Sequence, residues 1–237
     1  MCTLTYIPTE TGFVFTSNRD EQSIRAQAAP PEAYDIGGQA VWYPKDGLAG
    51  GTWIASSVKR QLCLLNGAFD RHERHPPYRK SRGLVLLDSF RYKNLYDFFH
   101  HYLLGEIEPF TLVEVSDEET PCLAELRWDG ANKSYREFDS SKGYIWSSAT
   151  LYTKEQREKR EAWFLAFHKN NPHPTQNEIL DFHRFSGEGN KRYDLVMEVG
   201  NSLQTLSITS IERSEKERSM RYLDLLNDSE YVLREEK

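Results

Sequence analysis

Strand-like and helix-like segments fall in blocks along this chain instead of alternating one for one, and that order constrains the fold more than any single motif. Period-2 patterns run over Leu4–Ile7 and Phe13–Ser17, then over Ala40–Tyr43, Thr52–Ser56 and Gln61–Leu65. Apolar residues at Leu84, Leu87, Leu95, Phe98, Phe99 and Leu103 keep close to a helical period and predict helices over Ser81–Phe90 and Asn94–Leu104. Strand patterns return at Phe110–Val115, Cys122–Trp128, Ser134–Phe138 and Tyr144–Trp146, with Asp129-Gly130 and Lys142-Gly143 as turns. A second helical pair, Lys154–Lys169 and Thr175–Phe185, follows, the latter opened by Thr175 with Glu178 as a capping box. Asp194–Val199, Thr205–Glu212 and Met220–Leu226 complete the pattern. Parallel strands need a crossover between each pair. The blocked order therefore argues against βαβ winding and predicts α+β architecture, with helices covering stacked antiparallel sheets. At 237 residues the chain can bury a core without disulfides or metal, so residues 1–237 are read as one domain.

The first two strands form a hairpin, which sets Cys2 at a strand's beginning and Asn18-Arg19-Asp20-Glu21 where its partner strand ends. The start lacks the basic and long apolar regions of a secretory signal, so it is read as mature sequence, with Cys2 retained. A small side chain at position 2 permits removal of Met1 by methionine aminopeptidase, which would leave the thiol beside a free α-amine. Such an amine titrates at about 7.7–8.0 and can serve as a general base without a helper histidine. A carboxylate nearby orients the ammonium, and a guanidinium near sulfur favours the thiolate. Arg19 and Asp20 have the chemistry for those two tasks. A charged tetrapeptide ending a strand in solvent is the plainer alternative.

Charge and cysteine usage narrow the partners. The formal net charge is −6 and the basic residues are scattered, so no phosphate-tracking groove and no nucleic acid are expected. The one local basic cluster, Arg71 to Arg82, is read as a solvated loop. No apolar run reaches the roughly 18 residues that a bilayer span needs. Cys2, Cys63 and Cys122 form an odd set without CxxC spacing, which fits a reducing cytoplasm and argues against a disulfide framework or a zinc site. The seven histidines include no ligand motif, so neither metal nor haem is expected as a cofactor.

Met1-Cys2-Thr3, Asn18-Arg19-Asp20-Glu21, Ala49-Gly50-Gly51-Thr52-Trp53-Ile54 and Leu64-Leu65-Asn66, in that order, resemble the first third of the NRDE family, also called the transport and Golgi organisation family. Lys80-Ser81-Arg82-Gly83 and Tyr144-Ile145-Trp146-Ser147-Ser148-Ala149-Thr150-Leu151 resemble its later motifs. The resemblance implies a four-layer αββα sandwich of the Ntn-hydrolase type, similar to that of penicillin V acylases and bile-salt hydrolases. It implies Cys2 as nucleophile with its own amine as base, Asp20 holding the amine, Arg19 near the sulfur and Asn66 helping to bind the oxyanion. Asn66 ending a strand before Gly67 can equally cap a turn. Asn18, Glu21, Trp53 and Ser148 complete the candidate site as substrate-binding residues, with Trp53 also readable as core.

Two departures stand out. Ser147-Ser148 replaces the family's serine followed by asparagine, and Thr205-Leu206-Ser207 replaces its Thr-Arg-Ser. Two functions follow: a metal-free cysteine amidohydrolase acting on a small linear C–N amide through a Cys2 thioester, or a non-catalytic protein that binds or carries a small ligand, related to haem, acyl-CoA or lipid, on the same fold.

Overall fold

The computed structural model describes residues 3–22, 27–116, 121–200 and 203–236. In chain order the elements are β1 (Thr3–Thr9), β2 (Gly12–Glu21), β3 (Ala29–Asp35), β4 (Ala40–Lys45), β5 (Ile54–Ser56), β6 (Arg60–Asn66), α1 (Arg82–Ser89) and α2 (Leu95–His101). They continue as β7 (Phe110–Ser116), β8 (Cys122–Trp128), β9 (Lys133–Phe138), β10 (Tyr144–Ser147), α3 (Lys154–Asn170) and α4 (Gln176–Phe185). The last four are β11 (Glu198–Val199), β12 (Leu203–Ser214), β13 (Glu217–Asp224) and β14 (Ser229–Glu236). The class is α+β with two antiparallel sheets, as the blocked order predicts. Among the described residues no helix is long and apolar enough to cross a membrane.

The described residues group into two compact units, one drawn from 1–25, 141–147 and 152–237 and the other from 26–140 and 148–151. In the first, strands run β10-β1-β2-β12-β13-β14, with β11 beside β12. Ile7 and Val14 are partners across the β1–β2 hairpin and pack with Phe164 of α3, Ile179 and Phe182 of α4, and Leu195. Because side chains alternate along a strand, that contact fixes the face of every neighbour. Thr3, Thr5, Thr16, Asn18 and Asp20 share the helix-bearing face, whereas Arg19 and Glu21 take the other. Both helices begin with complete capping boxes, Thr153 with Gln156 and Thr175 with Glu178, the latter as predicted. Gly12 is required where β12 crosses close: a Cβ there would lie 1.8 Å from the Arg213 carbonyl oxygen.

The second unit is a meander in which β3 through β9 pair in chain order. A buried ion pair ties its helices down. Arg60 of β6 donates to the Glu114 carboxylate of β7 and, through Nη1, to the carbonyls of Ser89 at the end of α1 and Tyr92 beyond it, at 2.9 and 2.7 Å. Glu114 in turn accepts from the Leu95 backbone N–H at the start of α2, at 2.9 Å. Gly51 lets the loop after β4 meet the start of α1, since a Cβ there would lie 2.5 Å from the Gly83 carbonyl carbon. The basic loop is largely exposed, as its solvated reading expects, and several of its charges are paired. Arg74, Arg82 and His72 converge on Glu108, at 3.2, 3.2 and 3.5 Å, while Lys80 pairs with Asp88 at 2.5 Å. Arg79 donates to the carbonyl of Leu103 at 2.6 Å.

Four elements depart from the sequence reading. Strand β3 carries Pro30 and Pro31, which lack N–H donors and mask a strand pattern, and it is tolerated because it lies at the sheet edge. Strand β14 is also an edge and mostly exposed, so no apolar alternation marks it. Of Asp194–Val199 only Glu198–Val199 pairs, and of Thr52–Ser56 only Ile54–Ser56 does. In the latter, the Thr52 hydroxyl bonds the carbonyls of Pro44 and Ile54 at 2.7 and 2.9 Å, a local alternative to the ladder.

Candidate active site

Cys2 lies outside the described residues, so the site is built from the groups around Thr3, its covalent neighbour. Thr3 opens β1, pairs with Ser147 of β10 on one side and Asn18 of β2 on the other, and is fully buried. Its Oγ1 accepts from Nη1 of Arg160 at 2.5 Å. That guanidinium is itself buried: Nη2 donates to the carbonyl of Asp194 at 2.9 Å, and the group lies 3.8 Å from the centre of the Tyr152 ring.

Asp20, 1% exposed, is held on both oxygens. The Tyr152 hydroxyl donates to Oδ2, and Thr205 Oγ1 donates to Oδ1 at 2.5 Å. Thr205 faces Asp20 across the β2–β12 ladder, and the register shifts just beyond it, with Leu206 the extra residue and Ser207 facing Arg19. A buried carboxylate without donors is costly, so two hydroxyls on it explain how an aspartate is tolerated there. Burial pushes the Tyr152 phenol above its ordinary range; the Arg160 cation pulls it down and the Asp20 carboxylate pushes it up again. The phenol therefore keeps its proton at neutral pH and remains a donor.

Asn18 spends its polar atoms inside the fold. Its Nδ2 donates to the carbonyls of His183 and Leu195 at 3.1 and 2.8 Å, which leaves Oδ1 facing His183 Nδ1 at 2.5 Å. Nδ1 must then carry the imidazole proton, and Nε2 accepts from Thr5 Oγ1 at 2.7 Å. Burial, with the Arg160 cation adding to it, lowers the His183 pKa to about 3, so the ring is neutral. Arg19 is 1% exposed on the opposite face, where burial raises the Tyr222 phenol and the Arg19 cation opposes the rise. Glu21 ends β2 and is half-buried, its Oε1 accepting from the Gln22 backbone N–H at 3.0 Å.

The remaining candidates belong to the second unit. Asn66 ends β6, and its carbonyl accepts from Ser148 Oγ at 2.9 Å, which brings two predicted site residues together. Asn66 Oδ1 is buried, and among the described residues no donor reaches it. Gly67 follows at φ +80°, and Thr111 Oγ1 donates to its carbonyl at 2.9 Å. Trp53 is 1% exposed and sits in the core.

Sequence reasoning missed Tyr152, Arg160 and Thr205. Arg160 had a signal: with Phe164 and Phe167 it falls at positions i, i+4 and i+7 of α3, on the stripe that faces the sheet. Among the described residues no three His, Cys, Asp or Glu side chains are grouped as a metal ion needs.

No curated protein matches this chain. Penicillin V acylase from Agrobacterium tumefaciens is a similar solved structure, at a TM-score of 0.48 and 11% identity, covering 98% of this chain and 86% of that one. The family model for Transport and Golgi organisation 2 matches residues 1–236, and the chain belongs to that family.

Proposed function

We propose that the chain is an N-terminal-nucleophile amidohydrolase, cleaving a linear C–N amide through a thioester at Cys2 on a single domain of residues 1–237. The observation that carries the reading is the setting of the strand end to which Cys2 is bonded. Thr3 opens β1 opposite Asn18, so Arg19 and Asp20, both buried, follow in β2 from the very point that Thr3 faces. Cys2 is one peptide unit from Thr3, about 3.8 Å between Cα atoms. A cation and an anion at that end of the hairpin supply the two adjustments that a thiol beside an α-amine requires.

In this mechanism the α-amine takes the thiol proton as sulfur attacks the amide carbonyl, and a hydrogen-bond donor stabilises the oxyanion that forms. Collapse breaks the C–N bond, and the ammonium returns its proton to the leaving amine. Water then adds to the thioester with the amine as base, the C–S bond breaks, and a carboxylic acid leaves with the thiol restored. Asp20 anchors the ammonium and Arg19 favours the thiolate. Glu21, at the end of β2, faces the acyl compound, and Asn18 supports β2 through His183. No metal takes part. The partner is a small N-acyl compound and the compartment is the cytoplasm.

Intact mass comes first, because retained Met1 would block the base. The decisive assay mixes protein with a panel of N-acyl donors, quenches in acid and seeks acyl mass on the peptide containing residue 2. An adduct that Cys2→Ala abolishes, with weak turnover surviving in Cys2→Ser, supports the hydrolase. No adduct from any donor, with ligand affinity unchanged in Cys2→Ala, returns the function to the binding class.

A further inference from the structure

Arg160 and Tyr152 form a buried layer beneath the strand end just described, and neither has a role in the chemistry so far. One end of the layer is anchored on Thr3, the residue next to the nucleophile, and the other on Asp20. The guanidinium stacked on the Tyr152 ring draws electron density from the phenol and makes its O–H a stronger donor. Thr205 closes the second side of the carboxylate at 2.5 Å while its Oγ1 accepts from the Met197 backbone N–H at 2.9 Å, and the other acceptor in reach, the Leu195 carbonyl, is farther at 3.4 Å. The Thr205 oxygen thus has a donor behind it and Asp20 in front.

We propose that Tyr152 and Thr205 are positioning residues that aim the Asp20 carboxylate at the amino terminus, with Arg160 fixing the Tyr152 ring and the start of β1 in one frame. The proposal rests on the Cys2 reading. On the helix-bearing side of the sheet the titratable side chains nearest this frame are Tyr152 ahead of α3, Arg160 on α3 and His183 on α4, with Arg19 and Glu21 flanking Asp20 on the other face. His183 is neutral. In this reading the field at the amine comes from Asp20 with its two hydroxyl donors and from the Arg160 and Arg19 cations. Removing a donor leaves the carboxylate more basic and less well aimed. The ammonium then holds its proton to higher pH, and less free base is available at neutrality.

The test acylates full-length protein, confirmed by mass to lack Met1, with p-nitrophenyl acetate across a pH series and reads the acetyl group on the residue-2 peptide. Tyr152→Phe keeps the ring and its stacked cation but loses the hydroxyl. It should slow acylation at least about tenfold, a part of the about 10²–10⁴-fold that a positioned base contributes, and move the rise of the rate to higher pH. Thr205→Val should behave likewise, and Thr205→Ser, which restores the hydroxyl, should match the wild type. Thermal melts show which variants fold, and the Thr205 pair carries the test if Tyr152→Phe does not. Folded Tyr152→Phe or Thr205→Val with an unchanged rate and pH profile overturns the positioning roles while the hydrolase reading stands. A wild-type chain that takes no acetyl at residue 2 overturns both.

Discussion

Acidification should unfold this protein partly through one side chain, His183. The ring is fully buried, and its two nitrogens are committed to Asn18 and Thr5 in the neutral form. Its pKa falls from an ordinary 6.5 to about 3, through burial first and the Arg160 cation second. The folded value lies below the unfolded one, so between them the unfolded chain binds a proton that the native chain refuses. The stabilisation is complete above pH 6.5 and is lost as pH falls toward 3. Integrating the linkage between about pH 6 and pH 4 gives a loss of about 2.5 kcal/mol from this site. Carboxylates titrate in the same window, so the comparison is with His183→Gln, which keeps them and cannot gain the proton. Urea denaturation at both pH values should show the wild type losing about 2.5 kcal/mol more than the variant over that interval. Equal losses would refute the buried, neutral imidazole.

Three further perturbations test the packing. Arg60→Ala should cost about 3–5 kcal/mol in denaturant melts, because it strips a buried guanidinium from Glu114, and replacing both partners by apolar residues should recover most of it. Gly51→Ala should destabilise by about 1–3 kcal/mol, since its Cβ would meet backbone atoms of Gly83 that cannot move alone, and calorimetry should show the fall in melting temperature. Thr175→Ala should cost about 1 kcal/mol through the lost cap of α4, and Thr175→Ser should restore it.

The antiparallel plan was legible because strand-like and helix-like segments fall in blocks separated by turn residues, even though β1, β2, β6 and β7 are buried on both faces and burial imposes no alternation on them. Edges escaped: β3 needs no apolar side, and its prolines are compatible with a strand only where one side has no neighbour. The tetrapeptide Asn18 to Glu21 was legible as a chemical cluster, yet alternation along β2 divides it between two faces. Asn18, expected at a substrate, is occupied by His183 and Leu195, partners more than 160 positions away that no local pattern reveals. Tyr152 and Thr205 escaped for the same reason, since the bonds that give them meaning cross 132 and 185 positions. The segment Lys154 to Asn170 is so rich in charge that Arg160 looked like one more solvated residue, although its spacing to Phe164 and Phe167 marks the buried stripe.

The irregularity after Thr205 bears on how such a chain diversifies. The residue inserted there, Leu206, has no cross-strand counterpart in β2, while Thr205 and Ser207 on either side keep theirs with Asp20 and Arg19. The identity of residue 206 is thereby decoupled from the pairing that holds the sheet. The resemblance places an arginine at this point, where this chain has a leucine that is 4% exposed, so a cation here would be buried and would need a partner. Leucine meets no such cost, and Thr205 beside it keeps its bond to Asp20. The sheet thus carries one position whose side chain can vary without a partner in β2 having to change with it.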